Sequence, residues 1–228
     1  TSLRAAIRHL PAELHTTNLP VPGQWSRGAG STHAAFATET FIDLLARKAG
    51  SDPADYRRAL LKKRPRHLGV LDLAVDKSRW GEPLTTKQGR GVAVHESFNT
   101  FVAMVAEVSM NDDQSYQVDR VDVAVDCGVA VNPDIIRAQM EGGLGFGLSA
   151  LLGSEITIER GAVVQSNFHD YTVLRADQMP EVRVHILPSA AAPTGVGEPA
   201  TPVIAPAVAN ALSALTGRRY TQLPILTA

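Results

Sequence analysis

The stretch from residue 91 to residue 127 constrains this chain more than any other. It holds three strand-like runs in succession, 91–95, 100–110 and 116–126, separated only by short turns. The middle run is apolar and built of small residues, as a strand buried on both faces must be. Asn111-Asp112-Asp113 supplies the turn out of it, and Val118-Asp119-Arg120-Val121-Asp122-Val123 then alternates cleanly. Adjacent strands of this kind form an antiparallel meander or the core of a mixed sheet, and the rest of the chain has to cover its faces.

The remainder supplies helices for that purpose. Phe36, Phe41, Ile42, Leu44 and Leu45 recur at helical spacing up to Gly50, a usual stop residue. Ser51-Asp52-Pro53 restarts a helix through Leu61, with Asp52 as N-cap and Pro53 in the first turn. The basic run 62–67 reads as a solvated helix end with cations near its carbonyls. Residues 1–33 carry Pro11, Pro20, Pro22, Gly23, Gly28 and Gly30 after one short helical stretch, and read as a winding loop. A long helix is expected over 134–152, although Gly142, Gly143, Gly145 and Gly147 each cost it ~1 kcal/mol relative to alanine. That much glycine implies close approach of another backbone or of a ligand. Strands over 154–158 and 182–187 flank a polar loop at 167–171. A Gly/Pro-rich turn at 193–206 leads to a final helix over 205–215, stopped by Gly217. The expected fold is α+β, a mixed sheet with packed helices: loop and helical pair over 1–90, then sheet, glycine-rich helix and Gly-Glu-Pro turn over 91–228.

Composition excludes several function classes. With 44% hydrophobic residues a core is available, so a disordered chain is not expected. Twenty-two basic against 23 acidic residues, interspersed, give no cationic field for nucleic acid. No apolar run approaches the ~20 residues of a transmembrane segment. The single cysteine, Cys127, can form neither an internal disulfide nor a Cys-rich metal centre, and the seven histidines show no ligand spacing. Beside Asp126, Cys127 reads as an inert buried thiol. No Gly-x-Ser-x-Gly elbow points to a hydrolase. The chain starts Thr-Ser-Leu-Arg, with neither an initiator Met nor a signal-peptide layout, and reads as a piece of something longer.

Three places could carry chemistry. Glu198 stands in Thr194-Gly195-Val196-Gly197-Glu198-Pro199, a flexible-then-stiff elbow that could present a general base, or leave a turn glutamate in water. Gln139 opens the glycine-rich segment, whose glycines serve either tight helix packing or a large polar cofactor. Arg27-Gly28-Ala29-Gly30-Ser31 exposes backbone amides ahead of a helix, where an anionic or oxo ligand could be held, or is an ordinary loop.

Taken together, five ordered motifs resemble the C-terminal part of the molybdenum-cofactor-binding large subunit of the xanthine dehydrogenase/aldehyde oxidase family, in its isoquinoline 1-oxidoreductase β-subunit branch. They are Trp25-Ser26-Arg27-Gly28-Ala29-Gly30 with Phe36 and Glu39; Val125-Asp126-Cys127-Gly128 with Asn132-Pro133; Gln139-Met140-Glu141-Gly142-Gly143; Gln165-Ser166-Asn167-Phe168-His169-Asp170-Tyr171; and Gly195-Val196-Gly197-Glu198-Pro199. The resemblance implies a molybdenum–molybdopterin cofactor, in dinucleotide form, with no metal ligand from this chain. It implies that Glu198 is the base in hydroxylation of an N-heteroaromatic or aldehyde substrate by water, and that Arg27, Gly28, Gln139 and Gly197 lie against the cofactor. It implies as partners the N-terminal half of the same large subunit and a small iron–sulfur subunit carrying [2Fe–2S] clusters; without them this chain would be inactive. The resembled branch implies a periplasmic or membrane-associated protein, while the sequence itself assigns no compartment and leaves a cytoplasmic one open. The rival expectation is a noncatalytic binding domain that keeps the fold without the cofactor.

Overall fold

A computed structural model describes residues 11, 13, 15, 25–113 and 115–225. Most of the winding loop expected over 1–33 lies outside the described residues. Three helices come first, α1 (Ser31–Lys48), α2 (Pro53–Leu61) and α3 (Pro65–Lys77), then strands β1 (Gln88–Ser97), β2 (Thr100–Met110) and β3 (Tyr116–Asp126). The glycine-rich helix α4 (Pro133–Leu152), the short strands β4 (Ile158–Glu159) and β5 (Ala162–Val163), strand β6 (Glu181–Ile186) and helix α5 (Thr201–Thr216) complete the chain.

The four-stranded sheet has the order β1-β2-β3-β6. The first two pairings are antiparallel and the last is parallel, so the sheet is mixed, as expected. β2 is buried along nearly its whole length because both sheet faces are covered. Met104, Ala106 and Val123 face a core shared with α4 and α5. Val92, Val94, Ala103 and Val105 face the other way, onto α2 and α3. Helix starts follow sequence signals. The Asp52 carboxylate accepts the N–H groups of Ala54 and Asp55, and the Asn132 amide oxygen those of Asp134 and Ile135.

α1 is anchored by charge as well as apolar contact. The Arg57 guanidinium, fully buried, donates from Nε to Glu39 Oε2 at 2.8 Å and from Nη2 to Glu39 O at 2.8 Å. The same carboxylate accepts the Val94 N–H at 3.1 Å, tying α1 and α2 to the sheet. Asn210 of α5, also buried, donates to Val92 O at 3.0 Å. α5 can come that close to β1 only because Gly91 has no side chain: a Cβ there would lie 2.1 Å from Ala211 N.

Four expectations need correction. The helical pair is a trio, since α3 follows Pro65; its apolar stripe of Val70, Leu71, Ala74 and Val75 is short and starts beside Gly69, so it is legible only once a second sheet face needs cover. The basic run is not wholly solvated: Lys62, Lys63 and Arg64 are exposed, whereas Arg66 grips Asp126 and His67 is buried. No strand forms over 154–157; Ile158–Glu159 instead pairs with Ala162–Val163 in an exposed hairpin apart from the main sheet. α5 begins at Thr201 rather than 205. Pro202 sits in its first turn, where no N–H is needed, and the cost of Pro206 inside the helix is met by burial with Val203, Ile204 and Ala207.

Candidate active site

The Gly-Glu-Pro turn lies immediately before α5, and its backbone is locked to that helix by the Thr201 N–H donating to Glu198 O at 3.0 Å. The Thr201 hydroxyl donates to Gly143 O of α4 at 2.9 Å. Beside this bond Gly143 and Gly147 face α5 with almost no separation; a Cβ on Gly147 would lie 2.5 Å from Thr201 O. These two glycines therefore serve helix packing. Gly142 and Gly145 face elsewhere, toward Arg27 and Met179 respectively.

The loop from Ser26 to Gly30 crosses over the turn. Gly28, at φ +91°, takes a conformation that L side chains avoid, and a Cβ there would meet Thr32 at 2.9 Å and Pro202 at 3.3 Å. Its N–H donates to Glu198 Oε1 at 3.0 Å. The anion held by that loop's amide is thus the chain's own carboxylate. Arg27 donates from Nε to Gly197 O at 2.6 Å and from Nη2 to Gln139 Oε1 at 3.0 Å. All five residues singled out in the sequence, Arg27, Gly28, Gln139, Gly197 and Glu198, are therefore joined in one hydrogen-bonded cluster drawn from three distant segments. Glu198 and Gln139 are half-buried. Among the described residues, Glu198 Oε2, Gln139 Nε2 and Arg27 Nη1 have no hydrogen-bond partner, which leaves one acceptor and two donors free.

A groove of about 650 Å³ runs beside the cluster, lined by Arg27, Gly142, Gly145, Phe146, Tyr171 and Met179, among others. Tyr171 brings in the fourth motif. Its loop is shaped by Asp170, whose carboxylate accepts the Asn167 and Ser166 N–H groups and the Ser166 hydroxyl; these bonds lower its pKa to about 2. The second motif acts at a distance. Asp126 is buried, which would raise its pKa, but the bidentate Arg66 pair at 2.6 and 2.7 Å and the Gly128 N–H outweigh this and hold it below the ordinary value. Burial, with Asp126 adding to it, pushes the Cys127 thiol up and so disfavours its thiolate form. Among the described residues no group of three or more His, Cys, Asp or Glu side chains gathers to hold a metal ion. None of their helices is long and apolar enough to cross a membrane. Sequence reasoning missed Thr201 and Met179; a threonine three residues after the glutamate of a Gly-Glu-Pro turn is the available signal for the first.

A mixed sheet backed by a glycine-rich helix thus carries a hydrogen-bonded cluster of an Arg, a Gln and a carboxylate, with Arg27 also lining the adjoining groove. Residues 69–180 match the family model described as molybdopterin cofactor-binding domain. The β subunit of isoquinoline 1-oxidoreductase from Brevundimonas diminuta is 36% identical over 206 residues, which make up 88% of this chain and 26% of that protein. A protein of Gluconacetobacter polyoxogenes named membrane-bound aldehyde dehydrogenase [pyrroloquinoline-quinone] is 31% identical over 226 residues, 90% of this chain and 29% of its own. Quinoline 2-oxidoreductase from Pseudomonas putida 86 superposes with a TM-score of 0.77 at 13% identity, covering 88% of this chain and 51% of that one, a likeness of fold. The chain therefore carries a molybdopterin cofactor-binding domain over residues 69–180 and is similar over most of its length to the β subunit of isoquinoline 1-oxidoreductase. It spans between a quarter and a third of the length of the two curated relatives.

Proposed function

We propose that this chain is the C-terminal part of the large subunit of a molybdenum hydroxylase acting on an N-heteroaromatic or aldehyde substrate, with Glu198 as general base. The observation that carries this reading is the joining of Arg27, Gly28, Gln139, Gly197 and Glu198 in one hydrogen-bonded cluster, which meets a groove at Arg27. The residues present suit a large polar cofactor. Gly142 and Gly145 leave the groove wall without side chains, a Cβ on Gly142 would sit 3.7 Å from Arg27 Nη1, and the free donors of Arg27 and Gln139 match pterin and phosphate oxygens. When bound, the molybdenum cofactor, in its dinucleotide form, supplies a redox-active metal that takes two electrons from the substrate, while water supplies the oxygen.

This chain's own contribution is positioning and proton transfer. Gly28 ties down Oε1 of Glu198, so that Oε2 is held at a fixed place and accepts a proton there. Arg27, pinned by Gly197 O, holds Gln139 and thereby keeps the α4 side of the groove in register with the turn. The single cysteine of this chain cannot build an iron–sulfur cluster; in this reading the [2Fe–2S] clusters that take the electrons belong to a small partner subunit, and the remainder of the large subunit closes the groove. The quinone in the second relative's name is not carried over, since the matching family model is one for molybdopterin.

Glu198→Gln in the full-length enzyme tests the proposal, because the amide keeps an acceptor for the Gly28 N–H but is no base. Molybdenum and pterin content should be unchanged, while kcat falls by ~100- to 10,000-fold, the range for a lost general base. Turnover within a few-fold of the parent removes Glu198 from the mechanism. Absence of molybdenum from the parent complex favours the noncatalytic binding domain.

A further inference from the structure

Glu198 is held from one side by Gly28 and from the other by α5, yet the five residues before it, 193–197, belong to no helix or strand. That segment is fastened at its Gly197 end by Arg27 and at its start by Thr100. The hydroxyl of Thr100, the first residue of β2, lies 2.6 Å from the Thr194 hydroxyl and donates to Gly195 O at 2.8 Å. Thr194 in turn donates its N–H to Cys127 O at 2.9 Å. The segment leading in is laid along the end of β3, where Val129 N–H donates to Ala191 O at 3.0 Å. Only glycine fits at 128, since a Cβ there would lie 2.2 Å from Ala192 O. Two motifs that are far apart in sequence, Asp126-Cys127-Gly128 and Gly195-Val196-Gly197-Glu198, are thus physically joined, with Thr100 at the junction.

Thr100 is completely buried. Its strand position would be served equally by valine, which has the same shape and a good preference for strands. The hydroxyl is therefore explained by what it bonds, and both partners belong to the glutamate's loop. With Gly195 and Gly197 in that loop, the backbone is free to wander unless something external fixes it.

We propose that Thr100 is a positioning residue for Glu198: together with Thr194 it clasps the glycine-containing segment so that the carboxylate meets the Gly28 amide. It touches neither substrate nor cofactor and acts only through Glu198. The catalytic meaning of this clasp rests on the function proposed above, whereas the clasp itself is a statement of geometry.

The Gly28 N–H reports on the clasp directly, because its acceptor is Glu198 Oε1. Amide hydrogen exchange of a peptide containing Gly28 is measured in the full-length protein, with Thr100→Val and Thr100→Ser compared to the parent. Thr100→Val should speed exchange at Gly28 by about tenfold, as expected when two buried hydrogen bonds that hold its acceptor in place are lost. Thr100→Ser, which keeps the hydroxyl, should restore near-parental exchange. Turnover should follow the same order through kcat, with molybdenum content constant. Unchanged exchange at Gly28 in a folded Thr100→Val protein overturns the proposal, and so does failure of serine to rescue. If Thr100→Val does not fold, Thr194→Val, on the half-buried loop side of the same pair, should speed Gly28 exchange by a smaller, severalfold factor because the Thr100 bond to Gly195 O remains, and unchanged exchange overturns the proposal. Exchange that responds while Glu198→Gln keeps full turnover leaves the clasp standing and removes the catalytic reading of Glu198.

Discussion

Replacing Gly91 by alanine puts a methyl group where β1 and α5 are in backbone contact. The new Cβ would lie 2.1 Å from Ala211 N, 2.3 Å from Ala207 O and 2.6 Å from Asn210 C. All three obstacles are main chain of one helix, so no side-chain rotation relieves them, and α5 must retreat by about 1 Å to restore van der Waals contact. That retreat stretches the buried Asn210 Nδ2–Val92 O bond from 3.0 Å to a length at which it no longer counts as a hydrogen bond. Overpacking costs ~1–3 kcal/mol and the lost bond ~1 kcal/mol, so ~2–4 kcal/mol is expected in all. For a chain of this size each kcal/mol lowers Tm by roughly 2–4 °C, which predicts a drop of roughly 5–15 °C. Gly81→Ala is the control, because nothing lies within 4 Å of its new Cβ. Far-UV circular dichroism melts of both variants, followed through the transition of this 228-residue unit, decide the matter. A Gly91→Ala Tm within about 2 °C of Gly81→Ala would show that α5 and β1 are not in the contact described.

Other perturbations have equally definite outcomes. Arg66→Met leaves the buried Asp126 carboxylate without its cation and should cost ~3 kcal/mol in denaturant unfolding at pH 7. Because the folded pKa of Asp126 is lowered, the parent's advantage is complete above the unfolded carboxylate pKa and is lost as pH falls through the folded one. A gap between parent and variant that widens in acid would contradict the pairing. His67 and His95 are lowered to about 4, in both cases chiefly by burial, so the unfolded chain binds protons that the native one refuses. Stability should therefore fall as pH drops from about 6.5 toward 4 and this contribution level off below, with His67→Gln flattening the slope; an unchanged slope in that variant would count against the buried neutral ring. Arg57→Met strands the buried Glu39 carboxylate and should cost ~3–5 kcal/mol, whereas Arg58→Met, in exposed pairs with Asp55 and Asp72, should change stability by less than ~1 kcal/mol. Equal unfolding midpoints for the two would refute the distinction.

Much of the fold is legible without coordinates because its signals are local. Alternation and turn residues place β2 and β3 at their observed bounds, and Asp52 and Asn132 mark helix starts by a bond each makes to the next few amides. α3 and the true start of α5 escape such reading. A short stripe beside Gly69 and a helix containing Pro206 become favourable only through what they cover, and that gain is not encoded in their own residues. The expected strand over 154–158 fails for the converse reason: its apolar residues find no sheet to join.

At the site, sequence by itself determined which residue types were available: a carboxylate on a Gly-Glu-Pro turn, an arginine before Gly28, a glutamine heading a glycine-rich helix. Which of them meet was decided by the tertiary structure alone. The glycines of α4 divide into two that pack on α5 and two that open the groove, a division set by the rotation of one helix against another. The Gly28 amide serves Glu198 from 170 positions away, and the Thr100 hydroxyl reaches Gly195 across 95. Hydrogen bonds act over about 3 Å, so any pairing at such separations depends on how sheet and helices bring distant segments together, and no local pattern of residues can state it.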